Sequence, residues 1–201
     1  MPEESGSRWL PRRSVLAGAV ALSISAVAVE SVLAPTGAAA EPRYTMDGWR
    51  FCVKCFELFP TTNTTYYKSV CPAGGSHQAA GWTFRLTYNV SVAGGDGEDA
   101  HTQGNWRLCW KCAAVFWAPG SSKPCAGGGG HDYVSTAQFL LPFNIGQPAG
   151  MQNQWRFCFK CSALFYNGYA YRGEYGRCPY DYIWGHTAAG YDFAIPVSAY
   201  T

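Results

Sequence analysis

The nine cysteines and four histidines of this 201-residue chain are its clearest chemical feature. Cys52 and Cys55, Cys109 and Cys112, and Cys158 and Cys161 each form a C-x-x-C pair. A third cysteine follows 13 to 17 positions later, at Cys71, Cys125 and Cys178, and a histidine 6 to 8 positions after that, at His77, His131 and His186. Three cysteines per set cannot all be closed by internal disulfides, so an odd count points to another use. Three thiolates and one imidazole make a closed tetrahedral site, with the C-x-x-C supplying two ligands from one tight turn and the distant pair completing it. Soft donors of this kind favour zinc over calcium or magnesium. The expectation is three structural zinc ions, one per set. The rival use is oxidation outside the cell, with disulfides within or between sets and one thiol left over.

Three thiolates on a divalent cation leave a net charge of −1. Arg50 and Lys54, Arg107 and Lys111, and Arg156 and Lys160 place basic side chains beside each pair, where they are expected to offset it. Glycines between the third cysteine and the histidine, Gly74-Gly75 and Gly127 to Gly130, let the chain turn back sharply. The third set departs from this. It runs Cys178-Pro179-Tyr180-Asp181-Tyr182-Ile183-Trp184-Gly185-His186, longer and aromatic, which makes His186 the ligand least fixed by pattern.

The elements that hold these residues repeat with them. Trp49 to Cys55 recurs as Trp106 to Cys112 and Trp155 to Cys161, and Leu58-Phe59, Val115-Phe116 and Leu164-Phe165 follow at one spacing. Each unit closes on a strand-like run, Phe84 to Tyr88, Phe139 to Phe143 and Phe193 to Val197. In the first of these Phe84, Leu86, Tyr88 and Val90 alternate with the period of a half-buried strand. Abundant Gly, Trp, Tyr and Phe with few charges suit short strands and turns. The chain therefore reads as all-β, with repeats at 47–92, 104–146 and 153–199 in a single domain spanning 41–201. Three pseudo-equivalent β-hairpin and zinc-knuckle units are expected, arranged around a pseudo-threefold axis like a β-trefoil; a row of separate zinc-ribbon-like modules is the alternative.

Residues 1–40 read as a signal peptide: Arg12-Arg13 precede an apolar run from Val15 to Val29 that ends near Ala38-Ala39-Ala40. The run is too short for a spanning helix of about 20 residues, and no other stretch is long enough. The paired arginines fit twin-arginine export, with Sec export as the alternative. Secretion is thus expected, with no membrane span in the mature chain. Net charge is +2, without the basic excess expected of a nucleic-acid binder.

The pattern W-R-x-C-x-K-C-x-x-[LV]-F followed by C-x-x-G-G-x-H resembles a repeat of secreted proteins in actinobacteria and some fungi. The resemblance covers nearly all of the chain after residue 40 and implies export and a small β-rich fold. It brings no settled activity.

A catalytic zinc keeps an open coordination position, whereas each set here offers four protein ligands. His101, the one histidine outside the sets, sits in a polar connector, and Asp96, Glu98 and Asp99 lack the ligand ladder of a calcium loop. No catalytic residue is assigned. Trp49, Trp106 and Trp155, one per repeat, read as packing around the knuckle rather than as sugar-stacking platforms. The expected function is extracellular recognition of a protein partner or surface glycan, as an adaptor, with a secreted lectin-toxin assembly as one setting. A secreted hydrolase and a purely structural envelope protein are the rival classes. Divergence confined to the third repeat places the expected contact surface on Tyr169, Tyr171, Tyr175 and Tyr182.

Overall fold

The structure, a computed structural model, describes residues 42–62, 68–90 and 100–200. The leader and the acidic connector with Asp96, Glu98 and Asp99 lie outside the described residues. Among those described there is no α-helix, and the chain is all-β. No helix among them is long and apolar enough to cross a membrane.

Each repeat folds as a long strand, a short strand and a second long strand. These are β1 (Tyr44–Cys52), β2 (Leu58–Pro60) and β3 (Ala79–Asn89); β4 (Thr102–Leu108), β5 (Val115–Trp117) and β6 (Gln138–Pro142); and β7 (Met151–Cys158), β8 (Leu164–Tyr166) and β9 (Ala188–Tyr200). The registers are equivalent from unit to unit. Trp49 faces Pro60 and Phe84, Trp106 faces Trp117 and Phe139, and Trp155 faces Tyr166 and Phe193.

A bulge just before each tryptophan bends the first strand, between Met46 and Trp49, Gln103 and Trp106, and Gln152 and Trp155. The residue preceding each tryptophan is left-handed: Gly48, Asn105 and Gln154, at φ of 84°, 63° and 66°. An extra residue at that point increases local twist and re-aims the side chain that follows. All three tryptophans are fully buried, as expected of packing residues.

The units close on one another in a ring. Tyr88 of β3 faces Phe139 of β6, Phe143 faces Phe193 of β9, and Val197 of β9 faces Phe84 of β3. The packing follows the same order: Trp49 meets Phe139, Trp106 meets Phe193 and Trp155 meets Phe84, edge to face, at ring separations of 4.9, 5.2 and 5.2 Å. Each tryptophan thus fills the interior of the next repeat. Edge-to-face pairs contribute about 0.5–1.5 kcal/mol beyond their burial. The largest apolar cluster among the described residues is drawn from all three units, with Leu58, Leu86, Val115, Leu141, Leu164 and Ile195 between the rings. Separate modules in a row would have left the ends open; the pseudo-threefold arrangement has no ends.

The closing strands match their sequence pattern. Phe84 and Leu86 are buried, Tyr88 is half-buried and Val90, past the end of β3, is exposed. The connector Gln147 to Gly150 is exposed, and so is His101.

Candidate metal centres

The first two ligands of each set come from a turn with one repeated geometry. In the first repeat the Phe56 amide donates to Cys52 O at 2.8 Å and the Cys52 amide to Glu57 O at 3.0 Å. The same two bonds join Ala113 to Cys109 and Cys109 to Ala114, and then Ser162 to Cys158 and Cys158 to Ala163. Phe56, Ala113 and Ser162 are all left-handed, which folds the backbone tightly enough to aim both sulfurs to one side.

The third cysteine and the histidine arrive from the loop between the short strand and the second long one. In the first two repeats a tight glycine turn shapes it: the Cys71 amide donates to Gly75 O and the Cys125 amide to Gly129 O, each at 2.8 Å. The lysine of each C-x-K-C clamps this loop. Lys54 donates to Gly74 O at 2.6 Å, Lys111 to Gly128 O at 2.8 Å and also to Gly130 O, and Lys160 to Gly185 O at 3.2 Å. Arg50, Arg107 and Arg156 bond the carbonyls of Gly81, Thr136 and Gly190. Loop positioning is therefore what the three lysines do directly, more specific than the general charge balance expected of them, while Arg50 and Arg156 bond the start of the closing strands β3 and β9.

The result is three clusters: Cys52, Cys55, Cys71 and His77; Cys109, Cys112, Cys125 and His131; Cys158, Cys161, Cys178 and His186. Within each, the four ligand atoms lie within 4.8 Å of one another. The sulfur pairs Cys52 and Cys71, Cys109 and Cys125, and Cys158 and Cys178 are 3.9, 3.7 and 3.9 Å apart. The distances from Nδ1 of His77, His131 and His186 to the sulfurs of Cys55, Cys112 and Cys161 are 3.3, 3.6 and 3.5 Å. A tetrahedron with metal to sulfur bonds of about 2.3 Å and a metal to nitrogen bond of about 2.05 Å has edges of about 3.8 and 3.5 Å. The donor sets fit such an ion. They do not fit disulfides, whose sulfurs stand about 2.05 Å apart. His186 reaches its cluster despite the longer loop and is buried like His131.

Protons are the ion's competitors here. Hydrogen bonds from Cys55 and Cys71 hold the Cys52 thiol far below its usual range, while burial pushes Cys55 well above it. Burial pulls His77 down, but bonds to Cys52 and Cys71 outweigh it and raise the imidazole to about 10. An ion entering the site displaces the protons on Cys55 and His77, so affinity weakens as pH falls. Amides of Gln78 and Asp132 point at the sulfurs of Cys52 and Cys109, at 3.4 and 3.5 Å, and favour the charged thiolate.

The other ring nitrogen of each histidine links the sites. Nε2 of His77 is 2.8 Å from Cys112 O, that of His131 is 2.8 Å from Cys161 O, and that of His186 is 3.0 Å from Cys55 O. With Nδ1 committed to the ligand set, Nε2 carries the proton and donates to the second cysteine of the next repeat. The three bonds run in one direction and close on themselves. Phe59, Phe116 and Phe165 stack on the three imidazoles at 4.7, 4.6 and 4.6 Å and fix their planes. A parallel set of backbone bonds, Trp117 amide to Ser162 O and Tyr166 amide to Phe56 O, has only two members. The equivalent residue in the first repeat is Pro60, which has no N–H to give.

Glu57 was not singled out by sequence, because no second repeat carries an acid there: Ala114 and Ala163 hold its place. Its carboxyl is buried, with Oε2 3.5 Å from Cys55 Sγ and Oε1 3.8 Å from His186 Nε2, and burial raises its pKa.

The four tyrosines expected to form a surface divide. Tyr171 and Tyr182 are exposed and Tyr175 is partly so. Tyr169 instead turns inward, with its ring 5.5 Å from Phe56 and 5.3 Å from Tyr166, and packs half-buried against the apolar interior. The aromatic replacement of the glycine turn also exposes residues beyond those four: Tyr180, Ile183 and Trp184 all project to solvent. Comparison with known protein families, with curated proteins and with solved structures finds no match for this chain.

Proposed function

We propose that this is an exported, non-catalytic binding protein in which three structural zinc ions fix a ring of repeats, and the third repeat presents the recognition surface. The observation that carries the reading is the asymmetry between a repeated centre and an unrepeated surface. Every donor set supplies four protein ligands, which leaves a tetrahedral ion no position for substrate. The one long departure from the repeat is a loop whose aromatic side chains face outward. Exposed tyrosine and tryptophan give large contact area at low entropic cost. The resemblance to secreted repeats and the arginine pair before the apolar run support export, with metal inserted before the folded chain leaves the cell.

Immobilised metal-loaded protein should retain a protein or glycan from cell-surface extracts. The double variant Tyr175→Ala, Tyr182→Ala should retain it at least about fivefold less well, with metal content and melting temperature unchanged. Chemical turnover of the offered material, in place of retention, would refute the reading.

A further inference from the structure

Beside the aromatic loop of the third repeat lies a cleft of about 370 Å³, within the size range of small-ligand sites. Tyr175 and Trp184 supply its aromatic lining, and Lys160, Asn167, Thr187 and His186 its polar lining, with Ala170 and Ala188 between. Trp184 is 74% exposed, so its ring is offered rather than packed. In the first two repeats the corresponding stretch is the glycine turn, which has no ring to offer.

The walls are braced. Asp181 Oδ1 accepts from the amides of Ile183 and Trp184, both at 3.1 Å, and Oδ2 accepts from Lys160 Nζ at 3.1 Å. Arg177 bonds Tyr182 O, and the His186 amide donates to Tyr175 O at 3.0 Å, joining one wall to the other. Gly185, at φ 69°, lets the two backbones meet: a Cβ there would stand 2.7 Å from Gly176 O and 2.8 Å from Tyr175 O. Such a loop has little freedom left to lose on binding, which favours affinity.

The polar groups of the cleft set the chemistry of its occupant. The Lys160 charge is already matched by the Asp181 carboxylate, and the His186 ring is committed to its cluster and to Cys55 O. The side-chain amide of Asn167 and the hydroxyl of Thr187 make no hydrogen bond with any described residue, although the backbone around both is held, Asn167 N to Gln154 O and Phe159 N to Thr187 O. Two exposed aromatic rings, neutral donors and acceptors in the same lining and a lysine charge matched by its carboxylate suit a ligand with an apolar ring face and a rim of hydroxyls.

From this arrangement we infer that the cleft between Tyr175 and Trp184 is a binding site for a neutral pyranose glycan. The inference rests on the non-catalytic binding reading and names the class of ligand for it. A bound sugar ring stacks on Trp184, and its hydroxyls meet Asn167 and Thr187.

The test is calorimetric titration of the metal-loaded protein with cellohexaose, laminarihexaose, chitohexaose, mannohexaose and xylohexaose. At least one should bind with a Kd below about 1 mM. Trp184→Ala and Asn167→Ala should each weaken it at least about tenfold at unchanged metal content and melting temperature, whereas Tyr180→Ala, outside the cleft lining, should change it less than about twofold. No binding by any hexaose at about 5 mM, or binding indifferent to Trp184→Ala, overturns the inference. So does failure of all five hexaoses alongside sedimentation with phosphatidylcholine–phosphatidylglycerol vesicles that is lost in Ile183→Ser, which would make the loop a membrane contact. Release of reducing ends from a hexaose that binds would refute the non-catalytic reading while leaving the glycan site standing.

Discussion

Removal of the metal by a strong chelator at neutral pH is expected to unfold this protein, not merely to loosen three surface turns. Among the described residues the loops that deliver Cys71, Cys125 and Cys178 contain no long strand of their own, and the ligand sets and the lysine clamps are repeated points at which they are held to the rest. Structural zinc sites contribute apparent free energies of about 10–16 kcal/mol each, against a total stability of about 5–15 kcal/mol for an ordinary domain. Loss of all three such contributions therefore exceeds the whole stability of an ordinary domain several times over. Trp49, Trp106 and Trp155 are fully buried between repeats and will report the event. Their fluorescence should shift to the red as chelator is titrated in, strand signal should be lost in the same transition, and added zinc should restore both. Acid should act in the same direction, since protons on Cys55 and His77 compete with the ion. A protein that keeps its melting temperature after complete metal removal would show that the apolar ring alone holds the fold.

The second large effect comes from the direction of the histidine bonds. Replacing His131 with alanine removes a ligand of the second centre and also the donor to Cys161 O in the third. It further empties the space stacked against Phe116. Loss of a partner to a ligating residue typically weakens metal affinity about 10–100-fold, so the third centre should weaken by that factor while the second loses its ion. Cys109→Ser strikes the same centre without touching the bond to Cys161. It should lose the second ion and leave the third far less affected. Competitive titration with a chromophoric chelator separates the two variants, since His131→Ala should show one missing site and one weakened site. Identical profiles for the two would mean that the centres do not communicate through these bonds.

The ligands were legible in the sequence because metal chemistry leaves side-chain signatures at fixed spacing, and the threefold repetition made twelve residues speak together. The same repetition located the tryptophans and the closing strands. What joins one repeat to the next was not legible. The acceptors of the histidine bonds are backbone carbonyls of Cys55, Cys112 and Cys161, and a carbonyl looks the same in every residue. The loop clamps escaped for a related reason: Lys54, Lys111 and Lys160 read as charges near thiolates, while their partners are carbonyls brought close by the fold. Composition groups Tyr169 with its neighbours, yet Phe51 and Phe56 of the first repeat, distant in sequence, pack against it. Glu57 stood outside any pattern because it breaks the repeat, and only the closing of the ring buries it beside His186.

The most direct test of the central claim is metal content measured on protein purified without added metal, combined with a count of reactive thiols after denaturation in chelator. Three zinc ions per chain and nine titratable thiols are the expected result. Metal near zero with four disulfides and a single thiol would contradict it.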